Sequence, residues 1–431
     1  MPPRILIVSV GGSCDPVVNA CREYRPDFVY FFCSGGPKGS SVTVDGQGDP
    51  CGDQRTISCP ECGAKVPLGN PRGEAIVRRL NLARDAYDKV EVDDPDDLAV
   101  CYRELVKVEN EIRQRFGPDA EVVANYTGGT KTMSVALALL AVLRERWDLS
   151  VNKGPRLDLI KVRGGDIPVL ADKLEVVVEV YRAQVAGFLR RYAYDAADEI
   201  LGQVTTKQRL TGELREHFLR ARRLCRAFHA WDVFSHREAL ELLRGVGGEK
   251  VAPFIEAALD LAGEGRRATG YEAVADLLLN ADRRAAQGRY DDAVARLYRA
   301  LEMAAQVRLE QQWHIASGNV DLEKIPAALR ERYRQLRDSD GRIRLGLTRS
   351  YELLADLGDP VGQLWRKQRA RLLAALEARN GSILAHGTTP LGPSDYTRNA
   401  SVFKGFIEDV LRTLNVRTRC RQLPQEELLA M

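Results

Sequence analysis

The sequence lacks a strong charge of either sign. Its 431 residues hold 63 lysines and arginines against 60 aspartates and glutamates, so the formal net charge is only +3. A general coat of positive charge, which would bind nucleic acid nonspecifically, is therefore excluded, and any nucleic-acid site has to be local. The length predicts two or three domains of about 150 residues each.

The sequence also lacks a long apolar run and a recognisable export signal. The longest apolar stretch, Met133–Leu143, is too short to span a membrane and is typical of a buried helix. A predicted strand begins at Arg4, without the charged, apolar and small-residue segments of a signal peptide. The nine cysteines are an odd number, which favours mostly free thiols. We therefore expect a cytoplasmic protein.

The sequence divides into two halves that differ in the spacing of their apolar residues. Up to about residue 175, short apolar segments alternate with helical ones, which predicts an α/β domain with a Rossmann-like, doubly wound and mainly parallel sheet. The predicted strands, all rich in Val, Ile, Leu, Phe and Tyr, are Arg4–Val10, Asp27–Phe32, Ala86–Val92, Glu121–Ala124 and Leu157–Val162. Two of the predicted helices are Asp96–Phe116 and Lys131–Trp147.

The second half has no convincing strand pattern. Its apolar residues recur at helical spacing, as in Ala293–Leu309, which predicts an all-α region with the character of a helical bundle. Glycine-rich breaks separate the helices. We divide this region into a helical connector at residues 176–262 and an effector domain at residues 263–431.

Polar, glycine-rich turns follow several of the predicted strands. Because the carboxyl ends of parallel strands meet at one edge of a sheet, these turns predict a ligand site there. They match neither the G-x-G-x-x-G nor the P-loop pattern, so no dinucleotide or triphosphate is indicated. The candidate ligand-binding residues are Ser9, Gly11, Gly12, Ser13, Ser34, Tyr126, Thr127, Gly128, Gly129, Thr130 and Lys131.

The residue types in these turns favour a ligand that carries phosphates and bases. Glycines let backbone N–H groups approach a ligand, and a helix that begins near Lys131 adds the positive end of its dipole. Lys131 would neutralise a phosphate, Thr127 and Thr130 would donate hydroxyl hydrogen bonds, and Tyr126 would stack on a base. The plainer interpretation is a set of tight strand-to-helix turns in which Thr130 caps a helix.

The turn after the first strand and the sequence Tyr126-Thr-Gly-Gly-Thr-Lys131 together resemble the CRISPR-associated Rossmann fold, or CARF, domain. The resemblance covers residues 1–175. It implies that these two turns bind cyclic oligoadenylate, a ring of 3′–5′ linked AMP units, and that two copies of the domain pair across a twofold axis. A segment at residues 34–73, rich in glycine and proline, is an insert relative to the common CARF core.

The insert carries three cysteines, at Cys51, Cys59 and Cys62. The run Cys-Pro-Glu-Cys-Gly, which starts at Cys59, is typical of half a zinc site, since two thiolates at this spacing grip one ion. Cys51 is a possible third ligand, and Cys33 or Cys14 would have to supply the fourth. A structural zinc at these positions and free or redox-active thiols in a loop therefore remain two open interpretations.

A second motif lies near the carboxyl end of the sequence. Arg379 and Asn380 are followed by His386 in an R-N-x5-H pattern that resembles the motif of HEPN ribonucleases. The bare pattern is weakly specific, because Arg308 with His314, and Arg222 or Arg223 with His229, also match it. A basic segment, Arg366–Glu377, precedes Arg379, and its arginines and lysine would either guide an RNA backbone or form a solvated helix face.

The chemistry of such a motif needs no metal ion. RNA supplies its own 2′-hydroxyl nucleophile, His386 would assist proton transfer, and Arg379 would hold the scissile phosphate. Asn380 would orient either side chain. The expected products are a 2′,3′-cyclic phosphate and a 5′-hydroxyl. In the HEPN family two subunits each supply one motif to a shared cleft, so a single motif per chain implies a homodimer.

A CARF-like domain followed by a HEPN-like motif resembles the CARF–HEPN effector ribonucleases of type III CRISPR systems. They imply an endoribonuclease that cleaves single-stranded RNA in antiviral defence, with cyclic oligoadenylate as its allosteric activator. Two alternatives remain at this stage. One is a regulator that responds to the cyclic oligonucleotide without cutting RNA. The other is a ring nuclease, whose CARF pocket itself degrades the messenger.

Overall fold

The computed structural model describes residues 2–53, 56–67, 71–144, 146–154, 166–207, 210–380, 384 and 387–431. The chain separates into two compact units, Met1–Val180 and Tyr181–Met431. The first unit is built on a sheet, and the described residues of the second contain helices and only an isolated bridge between Arg337 and Ile343. The predicted order, an α/β region followed by an all-α region, is confirmed.

The first unit contains one six-stranded sheet and one small hairpin. In chain order the strands are β1 (Arg4–Ser9), β2 (Phe28–Ser34), β3 (Thr56–Ser58), β4 (Lys65–Pro67), β5 (Tyr87–Val92), β6 (Glu121–Asn125), β7 (Trp147–Lys153) and β8 (Ile167–Leu170). The order in the sheet is β5-β2-β1-β6-β7-β8, and every pairing is parallel except β7 with β8. Strands β3 and β4 pair antiparallel with each other.

Helices cover both faces of this sheet. They are α1 (Asp15–Tyr24), α2 (Ser41–Asp45), α3 (Ile76–Leu80), α4 (Leu98–Phe116), α5 (Lys131–Val142) and α6 (Leu174–Leu189), the last of which runs past residue 180. One apolar core lies between the sheet and the helices α4 and α5, and a second lies on the other face against α1 and α3. The central strands are buried on both faces for this reason, which explains their unbroken apolar sequence.

Four of the five predicted strands are present, and one predicted helix needs correction at its carboxyl end. The predicted helix Lys131–Trp147 ends at Val142, and Trp147 instead begins strand β7. Three backbone carbonyls, of Ala141, Arg144 and Trp147, accept hydrogen bonds from the Lys173 ammonium at 2.5–2.8 Å, which stabilises the helix end. The predicted strand Leu157–Val162 lies outside the described residues.

The second unit is helical throughout its described length. Its helices are α7 (Tyr194–Lys207), α8 (Gly212–Asp232), α9 (His236–Val246), α10 (Ala252–Leu261), α11 (Glu272–Ala286), α12 (Tyr290–Trp313), α13 (Ala327–Arg334), α14 (Leu347–Asp356), α15 (Pro360–Asn380) and α16 (Pro393–Thr413). The last six share one apolar core, at whose centre Tyr351 stacks on Trp365 at 4.5 Å and Phe406 packs edge-on against both rings.

A buried ion cluster joins α8 to α11. The Arg283 guanidinium has no exposed surface, and its nitrogens lie 2.7 Å from Asp232 and 3.2 Å from Asp276. Burial alone would raise the pKa of Asp276, but the charges of Arg283 and His236 outweigh that effect and lower it. Because a buried guanidinium needs carboxylate partners, this cluster fixes the connector helices to the effector domain.

None of the helices in the described ranges combines the length and apolar composition of a membrane span.

Candidate functional site

The sheet reverses its strand order between β1 and β6, and the predicted turns lie at that point. Strand β1 ends at Ser9 and strand β6 at Asn125, with Val8 opposite Asn125 in the parallel register. Ligands of open α/β sheets bind in the crevice beyond the carboxyl ends of strands at such a reversal. The structure therefore brings the two glycine-rich turns, which are more than a hundred residues apart in sequence, to one crevice.

The two turns touch through their backbones. A Cβ atom added at Gly11 would lie 2.7 Å from the Gly129 nitrogen, and one added at Gly128 would lie 2.3 Å from the Ser9 carbonyl oxygen. Gly129 also has a φ of +81°, in the left-handed region that favours glycine. Gly12, by contrast, has no atom within 4 Å of such a Cβ and faces open space. Three of the four glycines are thus required by packing or conformation.

The two threonine hydroxyls serve the turn itself. The Thr127 hydroxyl donates to the Asn152 side-chain oxygen at 3.1 Å and accepts from the Asn152 N–H at 2.7 Å. The Thr130 hydroxyl donates to the Pro95 carbonyl at 2.6 Å and accepts from the Met133 N–H as the cap of α5. Both hydroxyl protons therefore have acceptors within the domain, and the expectation that the two threonines donate to a ligand stays a prediction.

The predicted serines Ser9 and Ser34 have the same kind of role. Ser9 is fully buried, and its hydroxyl donates to the Asn125 carbonyl at 3.3 Å. The Ser34 hydroxyl accepts from the Ser40 N–H at 2.9 Å and lies 3.2 Å from the Ser40 hydroxyl. Both side chains hold turns at the carboxyl edge of the sheet, so neither presents a free hydrogen-bonding group to the crevice.

Three of the predicted residues keep unpaired polar groups. Lys131 is exposed at the start of α5, and its ammonium has no hydrogen bond or ion pair with any residue in the described part of the chain. The half-buried ring of Tyr126 packs against the apolar core, and neither its hydroxyl nor that of Ser13 has a partner within the described ranges. Together with the free amides of the first turn of α5, the Lys131 ammonium provides positive charge at the crevice.

A buried polar network beneath the crevice was missed by the sequence reasoning. The Asn125 side-chain N–H₂ donates to Ser150 at 2.9 Å and to Asn152 at 2.8 Å. The Asn152 side-chain N–H₂ donates in turn to Asp166 at 2.5 Å, and Asp166 accepts from Asn19 at 2.9 Å. Buried amides and carboxylates paired in this way hold their side chains in one arrangement. The signal available in the sequence was Ser150 and Asn152, two uncharged polar residues at buried positions of a strand that otherwise alternates Trp, Leu and Val with charged residues.

The HEPN-like motif lies at the end of α15. Arg379 and Asn380 occupy the last two positions of this helix, while their side chains and all of His386 lie outside the described residues. The segment that follows is anchored on other helices, since the Leu391 N–H donates to Asp291 at 3.1 Å and the Tyr396 hydroxyl donates to Asp282 at 2.7 Å. The motif is therefore bounded by one core helix and by a segment tied to α11 and α12.

Two of the rival arginines already have carboxylate partners within the fold. Arg308 donates to Asp359 at 2.8 Å, and His314 ends α12 in the left-handed conformation with a φ of 53°. Arg222 donates to Asp198 at 2.9 Å. Their local sequence matches the pattern, but both guanidiniums are used in internal ion pairs. Arg223, the other possible partner of His229, is exposed on α8, and the choice of Arg379 and His386 stays a prediction.

The basic residues of α15 divide into two kinds. Arg366 pairs with Asp356 at 2.8 Å and Arg369 lies 3.7 Å from Glu352, so both charges are partly neutralised. Lys367 and Arg371 have no ion-pair partner among the residues that the structure describes. They line a groove of about 460 Å³ between α15 and α16, together with Glu408 and Asp409. Of the four basic residues, Lys367 and Arg371 are the two that remain available to an RNA backbone.

The cysteines do not form the predicted three-ligand set. Cys51 is disulfide-bonded to Cys14, where α1 begins, and Cys33 is buried, which raises the pKa of its thiol to about 12. No group of three or more metal-ligating side chains converges anywhere in the described ranges. Cys59 and Cys62 lie together in the turn between β3 and β4, where the backbone N–H groups of Cys62 and Glu61 lower the pKa of Cys59. The candidate zinc set is thereby reduced to these two.

The fold and its candidate sites define a class of protein: a Rossmann-like domain with an open switch-point crevice, followed by a helical effector region. Residues 264–410 match the family model of the Csm6 HEPN domain. These residues include Arg379, Asn380 and His386. The sequence matches none of the curated proteins with which it was compared.

A solved structure extends the likeness to nearly the whole chain. It is that of Enterococcus italicus Csm6 bound to cyclic hexa-2′-fluoro-hexa-dAMP, and it is 14% identical in sequence, with a TM-score of 0.58. The match covers 95% of this chain and 94% of that one. The predicted resemblance to the CARF–HEPN effectors of CRISPR systems is confirmed: the chain has the fold of a Csm6 protein, and its residues 264–410 match the HEPN domain of that family.

The contact between the turns leads to a stability prediction. Gly11→Ala should destabilise the first unit by about 1–3 kcal/mol, because the new methyl group would force the Gly129 backbone away. Chemical denaturation followed by circular dichroism measures this change. Gly12→Ala is the matched control, one residue away and in open space, and it should stay within about 0.5 kcal/mol of the wild type. Equal effects of the two substitutions would contradict the close approach.

Proposed function

We propose that this protein is a cyclic-oligoadenylate-activated, metal-independent endoribonuclease that cleaves single-stranded RNA in CRISPR antiviral defence. The observation that carries the proposal is that the Csm6 HEPN match, residues 264–410, encloses an intact Arg379–His386 motif. The open cationic crevice of the first unit supports the sensor role. A regulator that only binds RNA would need no such motif.

In the crevice, each free group has a counterpart on a cyclic oligoadenylate. The Lys131 ammonium and the first amides of α5 would bind phosphate oxygens, and Tyr126 would stack on an adenine. Gly11, Gly128 and Gly129 bring the ligand close to backbone N–H groups. The threonines act indirectly in this proposal, since their hydroxyls hold the turn that presents Lys131.

In the effector domain, the chemistry requires one base, one cation and the substrate's own nucleophile. His386 would take the proton of the RNA 2′-hydroxyl, which attacks the adjacent phosphate and expels the 5′-oxygen; the leaving 5′-oxygen takes up a proton from an imidazolium of the site or from water. Arg379 would stabilise the charge that develops on the phosphate oxygens, and Asn380 would orient one of the two side chains. The products are then a 2′,3′-cyclic phosphate and a 5′-hydroxyl, and no cofactor takes part in the reaction.

A homodimer would complete both sites, and helix α5 supplies a surface for it. Val135, Leu139 and Leu143 are spaced four residues apart, and their exposed fractions are 48%, 44% and 49%. They form one apolar face on the helix that begins at Lys131, next to the crevice. A second copy of the same face would cover it and would bring the two crevices together around one ring.

Activation then requires a coupling free energy between the crevice and the RNA site, typically about 1–3 kcal/mol. The decisive experiment incubates the purified protein with labelled single-stranded RNA, alone and with tetra- or hexa-adenylate rings, in EDTA. Ring-dependent cleavage supports the proposal. Binding of the ring without cleavage of RNA identifies a passive regulator, and loss of the ring itself identifies a ring nuclease.

The catalytic assignment predicts that His386→Ala abolishes RNA cleavage while ring binding is unchanged, because only proton transfer is lost. Cleavage is measured by gel electrophoresis of end-labelled RNA, and ring binding by calorimetry. His314→Asn is the matched control, since asparagine tolerates the left-handed conformation at this helix end, and it should retain full activity. Persistent cleavage by His386→Ala would remove His386 from the mechanism.

The crevice assignment predicts that Lys131→Ala weakens ring binding about 10- to 100-fold, the value of one charge-assisted hydrogen bond. The activator concentration for half-maximal cleavage should rise by the same factor. Lys107→Ala, on the exposed surface of α4, removes an equal charge elsewhere in the same unit. An unchanged activation curve for Lys131→Ala would show that the crevice lysine does not bind the ring.

The dimer assignment predicts that Leu139→Glu lowers the association of protomers by at least tenfold, because a carboxylate would be buried in an apolar interface. Sedimentation velocity in EDTA measures the effect. Val233→Glu serves as control, since Val233 is exposed to a similar degree, 56%, in the second unit. Equal association of the two variants would exclude the α5 face as the interface.

A further inference from the structure

The hairpin of the insert has no core of its own. Strands β3 and β4 are three residues long, and every β3 residue is exposed. Ile57 and Val66 lie opposite each other in the antiparallel register, with 55% and 46% of their surface exposed. An isolated two-stranded hairpin is at best marginally stable in water, so its folding requires a further source of stability.

The turn of this hairpin is shaped as half of a metal site. The Cys59 N–H donates to the Ala64 carbonyl at 2.8 Å, and the Gly63 N–H donates to the Cys59 carbonyl at 2.9 Å. Gly63 has a φ of +72°, which lets the chain turn back immediately after Cys62. Two cysteines at C-x2-C spacing in one tight turn that contains proline and glycine are a typical half-site for zinc.

The other half of the site is missing from the same chain. Structural zinc takes four ligands in a tetrahedron. Cys51 is occupied by its bond to Cys14, and within the described ranges no third cysteine, histidine or carboxylate converges on the hairpin. The residues next to the hairpin that the structure does not describe, 54, 55 and 68–70, are Gln, Arg, Leu, Gly and Asn, which are not zinc ligands of this kind.

We propose that Cys59 and Cys62 bind one zinc ion together with the same two cysteines of a second copy of this chain. Two copies supply four thiolates, which is the full tetrahedral set, and each thiol gives up its proton when the metal binds. The exposed pair Ile57 and Val66 lies directly beside the turn and would be covered by the partner hairpin. This site is separate from the crevice and from the Arg379–His386 motif, and it does not depend on the proposed nuclease activity.

The first test is metal content. The full-length protein is reconstituted with ZnCl₂, freed of excess metal and analysed by mass spectrometry for zinc per chain. We expect about one zinc ion per two chains. Cys59→Ser and Cys62→Ser should each lose it, whereas Cys51→Ser, the matched control in the same insert, should keep it. No bound zinc, one ion per chain, or loss of zinc in Cys51→Ser would each overturn the proposal.

The second test isolates the bridge from the α5 interface. The Leu139→Glu variant is analysed by light scattering with zinc, after chelation and after zinc is restored. We expect the mass of a dimer, then of a monomer, then of a dimer again. The same variant with Cys62→Ser should not respond to zinc. A mass that does not change with zinc would overturn the bridge, even where the metal is bound.

Discussion

The backbone contact between Gly11 and Gly128–Gly129 is the constraint on which the crevice depends. Side chains at Gly11 and Gly128 would collide with the opposite turn at less than 3 Å, so the two turns meet only because both positions are glycine. Their meeting in turn requires that β1 and β6 be neighbours in the sheet, which the reversed strand order provides. A ligand that reaches the two turns therefore meets peptide groups there, and backbone N–H groups suit phosphate oxygens.

The polar residues around this contact have separate tasks. The hydroxyls of Ser9, Thr127 and Thr130 donate hydrogen bonds to carbonyl or amide oxygens of the domain. Asn125 and Asn152 extend this hydrogen-bond network below them. Lys131 stays outside the network. The turn is thus held by hydrogen bonds within the domain, while the Lys131 ammonium beside it has no partner among the described residues. A prearranged site of this kind loses little conformational entropy when its ligand arrives.

The central strands and the glycine-rich turns that follow them could be predicted from the sequence. The strands that begin at Arg4 and Glu121 are continuous apolar runs, and the glycine-rich turns after them are visible without coordinates. The network of Asn152 and Asp166 could not be predicted, because it depends on register between β6 and β7 and on a residue from a later segment. The Cys14–Cys51 bond joins residues 37 positions apart in sequence and is equally invisible to local patterns.

The end of α5 shows why composition can mislead. The apolar run Met133–Leu143 gives no signal to stop before Trp147, and the Lys173 contacts that stabilise the helix end come from a distant residue. The catalytic motif stays a prediction from the sequence. The pattern favours Arg379 and His386, and the structure adds that the competing Arg308 and Arg222 are already paired with aspartates.

Lys173 connects the end of α5 to the start of α6. Helix α5 is capped at its beginning by Thr130, and at its end the Lys173 ammonium donates hydrogen bonds to the carbonyls of Ala141, Arg144 and Trp147. Its 12 residues make a rod about 18 Å long. Since Lys173 immediately precedes Leu174, the first residue of α6, the same ammonium ties the carboxyl end of α5 to the start of the helix that runs past residue 180.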